Sequence, residues 1–390
     1  MSAFRLAALL PLFLWWSMMS AADARSVTAM SFAAIPGWAQ DAHAAAFATF
    51  HRSCREVVAT GRGFAGSPQF TGKRAEWLPV CNSALTMPEE VSDTQARAFF
   101  EKSLRPLNVS SGPDAGLFTG YYEPEVEGAL KRGGEYVVPL YGKPSDLVAF
   151  DAATEKRIGV RYGRTVAGRP QPYWTRQEIE QGKLAGRGLE LVWLKRWEDA
   201  FFLQIQGSGR VRLADGRILR VGFAGKSGLP YTPIGRILVE RGELARDKVS
   251  MQTILDWLAR HPGQARALMW KNESFVFFRR IELDRADLGP PGAQHVQLTP
   301  ERSLAVDRRF YAYGTPIWLS SAVPAGPNDS LVPMNRLMVA QDTGTAIKGQ
   351  VRGDVFWGAG ARAGHIAGLM QSEGRMIILV PPSVASRLAN

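Results

Sequence analysis

Two aspartates near the carboxy terminus have the setting that proton transfer needs. Asp342 follows the apolar run Leu337-Met338-Val339-Ala340-Gln341 and opens Asp342-Thr343-Gly344-Thr345-Ala346-Ile347-Lys348-Gly349, while Asp354 leads into Val355-Phe356-Trp357-Gly358. A strand running into a Gly-containing turn lets the Asp342 carboxylate accept backbone N–H bonds, which favour its ionised form. The three apolar side chains after Asp354 would partly desolvate it, and a carboxylic acid still protonated near neutrality can donate a proton to a leaving oxygen. Asp beside Gly also serves ordinary turns, and the pattern alone leaves that reading open. Asp-Thr-Gly after an apolar strand also matches the aspartic-protease signature, but such enzymes share one proton between two aspartates. This chain has a single Asp-Thr-Gly, which makes a protease the remote alternative.

Metal chemistry is poorly supplied, because His43, His51, His261, His295 and His365 are scattered with no pair at ligand spacing. No metal or cofactor is expected.

The elements that must position these aspartates read as mainly β with a few helices. Phe47, Phe50, Cys54 and Val57 repeat at helical spacing, and Ser92 with Gln95 forms a capping box before Phe99, Phe100 and Leu104. From Thr119 to about Phe223, short apolar or alternating runs separated by Gly, Pro and Asp-Gly suggest antiparallel strands. Phe201 to Gln206 is one such run, and Asp215-Gly216 turns between Val211-Arg212-Leu213 and Ile218 to Phe223. On that reading Gln204, Gln206 and Ser208 alternate along one strand face and could line a polar groove, or simply be solvated. Thr232-Pro233 reads as a helix cap with first-turn proline, and Ser250 as the cap of a helix stopped by Pro262-Gly263.

Composition sets the outer bounds. With 390 residues, 46% hydrophobic and 21% charged, the chain is globular; 47 Lys+Arg against 36 Asp+Glu gives +11 with no dense basic run. Arg5, the apolar stretch Leu6 to Met19 and the small-x-small Ala22-Asp23-Ala24 read as a signal peptide over residues 1–24, with an uncleaved anchor as the alternative. An exported, periplasmic protein follows, and export removes nucleic acid as a partner for the basic surface. In an oxidising compartment Cys54 and Cys81 would form one disulfide, with two buried thiols as the alternative. Neither cysteine lies in the leader, so a lipoprotein is not expected.

The chain resembles a known family. Asp342 to Gly349 is similar to the signature of the three-aspartate (3D) domain, with Asp307, Asp342 and Asp354 in the expected order. Upstream, four blocks resemble the membrane-bound lytic murein transglycosylase A family: Phe118-Thr119-Gly120-Tyr121-Tyr122-Glu123-Pro124; Gln204 to Gly209; Lys226 with Tyr231; and Asn272-Glu273-Ser274-Phe275-Val276-Phe277-Phe278. Together they cover about residues 117–380.

The resemblance implies a double-psi β-barrel domain (25–126 plus 280–390) with N-terminal helices and an inserted β-rich domain (127–279), a glycan groove lying between them. It implies Asp354 as catalytic acid/base and Asp342, Asp307 and Lys348 as supporting residues. Thr119, Tyr121, Tyr122, Glu123, Gln204, Gln206, Ser208, Lys226, Tyr231 and Glu273 are the implied substrate-binding candidates. Two departures stand out: Thr345 replaces the family's usual second Gly, and Asp354 lies one residue further from Lys348 than the family pattern. The implied reaction cleaves the β-1,4 bond between N-acetylmuramic acid and N-acetylglucosamine, leaving a 1,6-anhydro end. A hydrolytic glycosidase usually needs two carboxyl groups. Here the sugar's own C6 hydroxyl is the nucleophile, and tethering supplies effective molarities of roughly 10⁵–10⁸ M. A non-catalytic peptidoglycan-binding wall protein is the alternative. The expected partner is the glycan strand, with peripheral association to the outer membrane or wall-synthesis proteins and a monomeric chain.

Overall fold

The computed structural model describes residues 27–110, 116–283, 285 and 287–389, so the 1–24 leader lies outside it. The chain begins β1 (Val27–Ala29), α1 (His43–Ala59), α2 (Arg74–Leu85), α3 (Asp93–Ser103), β2 (Arg105–Val109) and β3 (Gly116–Glu123). Phe47, Phe50, Cys54 and Val57 form the buried stripe of α1. Ser92 and Gln95 cap α3 reciprocally, so that Phe99 packs edge-on to Phe47 with centroids 5.1 Å apart. Cys54 and Cys81 form a disulfide joining α1 to α2.

The chain then enters β4 (Glu125–Ala129), β5 (Val138–Tyr141), β6 (Val148–Ala149), α4 (Ala152–Ile158), β7 (Tyr162–Val166), β8 (Arg169–Pro172) and α5 (Arg176–Glu178). Next come β9 (Glu190–Leu194), α6 (Trp197–Gln206), β10 (Ser208–Leu213), β11 (Ile218–Lys226), α7 (Ile234–Glu240), α8 (Met251–Arg260), α9 (Pro262–Met269) and β12 (Val276–Ile281). It closes with β13 (Ser303–Val306), β14 (Pro316–Pro324), β15 (Leu331–Asp342), β16 (Arg352–Ala359), α10 (Ala361–Leu369), β17 (Gln371–Val380) and α11 (Pro382–Ala389).

Three sheets result. The eight-stranded one runs β1-β2-β17-β14-β15-β13-β16-β3, and β17 also pairs with β3, so six of its strands pair in a closed cycle. The second runs β12-β11-β10-β4-β9-β5, and the third β6-β7-β8. Inside the first sheet Phe118, Leu304, Trp318, Leu337, Val339, Val355 and Ile378 are fully buried, each worth about 1.5–3 kcal/mol of burial.

Several expectations need correction. The architecture is mixed, with mixed sheets and substantial helix, rather than mainly β with a few helices. The stretch 119–223 is not uniformly antiparallel, since β3 pairs parallel with β16 and β4 parallel with β10. Phe201 to Gln206 is helical. Glu198 and Asp199 favour a helix N-terminus there, Ala200, Phe201, Leu203 and Gln204 share one buried face, and Gly207 ends the helix in a left-handed turn. Thr232 makes no side-chain cap, because Pro233 occupies the cap position of α7. α8 stops at Arg260, just before Pro262-Gly263 as read, and Pro262 also opens α9 at its first turn, where its missing N–H costs nothing. The Ser250 cap and the Asp215-Gly216 turn are found as read.

Candidate active site

Strand pairing brings the two sequence-marked aspartates to the same central strand. Ala305 of β13 pairs with Asp342 on β15 and with Asp354 on β16, so both carboxylates leave the same face with one strand between them. Strand spacing puts their backbones roughly 10 Å apart. The β15 register slips by one residue beside Leu304 and Ala305, a bulge at Gln341 that aims Asp342 toward the β16 side. The buried Gln341 side chain pins it, donating to Ser53 Oγ at 2.7 Å and accepting from Ser303 Oγ.

Asp342 is held by three donors: Ala293 N–H and Thr343 N–H on Oδ1, both at 2.9 Å, and the Tyr121 hydroxyl on Oδ2 at 2.9 Å. Burial nevertheless raises its pKa, outweighing those bonds, so the expectation that backbone bonds would simply favour the ionised form is corrected. Burial likewise pushes the Tyr121 phenol well above its ordinary value, with the Asp342 charge adding to it.

Asp354 sits opposite Thr119 of β3. Thr119 Oγ1 donates to Asp354 Oδ1 at 2.6 Å, and Arg352 Nη2 donates to Thr119 Oγ1 at 2.9 Å. Burial lifts the Asp354 pKa from 3.8 to about 6; the Thr119 bond and the Arg352 charge oppose the rise, and Asp342 adds to it. The carboxyl is therefore protonated in a substantial fraction of molecules below neutral pH, as a general acid requires.

Asp307 stands apart from this pair as a structural clamp. It is buried, takes a two-pronged contact from Arg309, and accepts Gly349 N–H at 2.9 Å; despite burial, these bonds pull its pKa down to about 2. Gly349 has φ +127°, which only glycine adopts without strain, so Asp307 and Gly349 together close the 342–349 loop. Thr345 is not among the residues with left-handed backbone, so a threonine is accommodated there. Lys226 reaches this loop from β11, its Nζ donating to Thr345 Oγ1 at 3.2 Å. Burial lowers the Lys226 pKa, and Lys348 and Arg161 lower it further, so three cations gather at this junction.

The remaining candidates divide. Gln206 accepts Tyr122 N–H at 3.2 Å and, with Tyr231 and Gly120, lines a cavity of about 250 Å³ walled by Phe202, Ile205 and Met251. The Tyr122 ring packs against Gly364 of α10, where an added Cβ would lie 2.8 Å from it. Glu273 is exposed and contributes its backbone carbonyl to Arg176 N–H. Three others are buried. Glu123 is fully buried against Arg210 and Arg220, Ser208 is buried in β10, and Gln204 is buried with its carbonyl oxygen taken by Arg176 and Val276 N–H. Gln204, Gln206 and Ser208 share no strand face, because the first two lie within α6 and only Ser208 lies on a strand, β10.

Sequence reasoning missed Arg352 and the fully buried Arg176, which bonds the carbonyls of Asn272 and Ser274 and so binds the Asn272 block to α6. Arg352 lies two residues before Asp354, a same-face spacing on a strand that could have singled it out.

Comparison with known proteins identifies the family. Residues 117–279 match the MltA specific insert domain and residues 302–380 the 3D domain. Over 265 residues the chain is 35% identical to the membrane-bound lytic murein transglycosylase A of Vibrio cholerae; the match spans 67% of this chain and 64%, just under two thirds, of that relative. The crystal structure of the membrane-bound lytic murein transglycosylase from Agrobacterium tumefaciens superposes with TM-score 0.81 at 34% identity, covering 93% of this chain and 99% of that one. Escherichia coli MltA with bound chitohexaose superposes with TM-score 0.63 at 27% identity, covering 86% and 90%. The chain belongs to the membrane-bound lytic murein transglycosylase A family.

Proposed function

We propose that this protein is a peptidoglycan lytic transglycosylase with Asp354 as its single acid/base. The observation that carries this reading is the Asp354 carboxyl, raised to about 6 by burial and bonded through Oδ1 to Thr119, with its nearest acidic neighbour already engaged by three donors. Protonated Asp354 gives its proton to the glycosidic oxygen. The resulting carboxylate takes the proton of the C6 hydroxyl as that oxygen attacks C1, closing a 1,6-anhydro ring. A hydrolase would need a second carboxyl free to attack or to activate water. Asp342 is not free for that role, because three donors already engage its oxygens, and the intervening strand residue Ala305 disfavours the proton-sharing pair of an aspartic protease.

The glycan lies between a unit of residues 25–126 plus 280–390, whose closed six-strand cycle is a double-psi β-barrel, and the 127–279 insert. The bound chitohexaose of the E. coli structure supports an amino-sugar polymer as ligand. Lys226 and Lys348 face stem-peptide carboxylates, while Tyr231 and Gln206 contact the sugars. The protein acts in the periplasm after export, as a monomer, in peripheral association with the outer membrane. Among the described residues no helix is long and apolar enough to cross a membrane.

Incubating the purified protein with sacculi and analysing the products by mass spectrometry tests this reading. Anhydro-muropeptides support it. Free reducing ends would instead indicate a hydrolase, and unchanged glycan a wall-binding protein.

A further inference from the structure

We propose that Arg352 is a positioning residue for the acid: by donating into Thr119 Oγ1 it directs the Thr119 hydroxyl proton onto Asp354 Oδ1 and keeps the acid's own proton on Oδ2. This rests on the reading of Asp354 as the acid and adds a device for presenting its proton.

A threonine hydroxyl carries one donor and two lone pairs, whereas a guanidinium only donates. The 2.9 Å contact between Arg352 Nη2 and Thr119 Oγ1 therefore runs in one direction. Drawing density from Oγ1 makes its O–H a stronger donor and a weaker acceptor. The 2.6 Å contact to Asp354 Oδ1 falls in the range of a hydroxyl donating to a carboxylate. In the opposite arrangement Oγ1 would accept from both neighbours, and the Thr119 proton would lose its only protein acceptor among the described residues. With Oδ1 committed as an acceptor, the transferable proton resides on the other oxygen. Thr119 is thereby reassigned from substrate contact to part of the acid's support.

Arg352 is itself immobilised. Its Nη1 donates to the carbonyls of Leu117 on β3 and Gly353 on β16, so the guanidinium bridges the two strands carrying Thr119 and Asp354. Burial and the Asp354 charge are the influences on its own pKa, which burial lowers. The other ionisable groups facing Asp354 are Asp342 from β15 and Tyr121 from β3. On the packed elements α10 and β17, Arg362, His365 and Glu373 are exposed.

The test follows the Asp354 carboxyl directly by ¹³C NMR titration of the carboxyl-labelled full-length protein, assigned by difference with Asp354→Asn, alongside the sacculus product assay. Thr119→Val and Arg352→Met should each raise the midpoint by about 1 pH unit, a tenfold gain in proton affinity. Thr119→Ser, which keeps the hydroxyl, should leave the midpoint in place. In the Thr119→Val background Arg352→Met should move it by less than half as much as in the wild type. An unchanged midpoint in Arg352→Met, or an equal shift in both backgrounds, overturns the inference. Shifted midpoints with a wild-type enzyme that yields no anhydro ends would sustain the relay and overturn the lyase reading instead.

Discussion

Replacing Asp307 with asparagine separates the clamp from the chemistry. The buried carboxylate holds Arg309 and the Gly349 N–H, and its drop from 3.8 to about 2 corresponds to about 2.4 kcal/mol at ~1.4 kcal/mol per pH unit. The Arg309 side chain is 66% exposed, so solvent screens part of this and about 1–2 kcal/mol remains. Because the folded-state pKa lies below the unfolded one, the contribution is complete above pH 3.8 and is lost as pH falls toward 2. Urea unfolding followed by tryptophan fluorescence should therefore show Asp307→Asn about 1–2 kcal/mol less stable at pH 7, with the deficit closing between pH 4 and pH 2. Equal stability at pH 7, or a deficit that does not change across that acid range, would refute the clamp.

Three further outcomes follow from the same geometry. The alkaline limb of the kcat/KM profile on sacculi should fall through about pH 6 as Asp354 loses its proton, and a flat profile from pH 5 to 8 would contradict that role. Gly120→Ala would place a Cβ 2.6 Å from Trp357 Nε1 and 2.8 Å from Ala367 Cα. The overpacking should cost about 1–3 kcal/mol and, by pushing β3 away from α10, lower activity more than tenfold, checked by melting and by product yield. Removing both Cys54 and Cys81 opens a loop of 27-residue separation, and chain entropy sets the loss at about 3.5 kcal/mol, read as a fall in urea midpoint matched by reducing the wild type.

The chemistry was legible where it is local. Asp342 and Asp354 lie 12 positions apart in one stretch, and the apolar residues after Asp354 correctly foretold desolvation. Their partners were not. Thr119 meets Asp354 across a separation of 235 residues through a parallel pairing that no alternation of side chains encodes. Phe201 to Gln206 was misread because six residues satisfy both a strand and a helix pattern, and the deciding signals, Glu198-Asp199 and Gly207, lie outside the run. Glu123 followed the same logic in reverse. The family resemblance of its block implied a substrate contact, yet Arg210 and Arg220 arrive from β10 and β11 to neutralise it in the interior.

The most direct measurement is mass spectrometry of sacculi digested by the wild type and by Asp354→Asn, with both proteins shown to melt alike. The account predicts 1,6-anhydro ends from the wild type and at least a hundredfold fewer from the variant, the usual minimum cost of losing a general acid being about 10²-fold. Anhydro ends released by Asp354→Asn at a rate close to that of the wild type would contradict it.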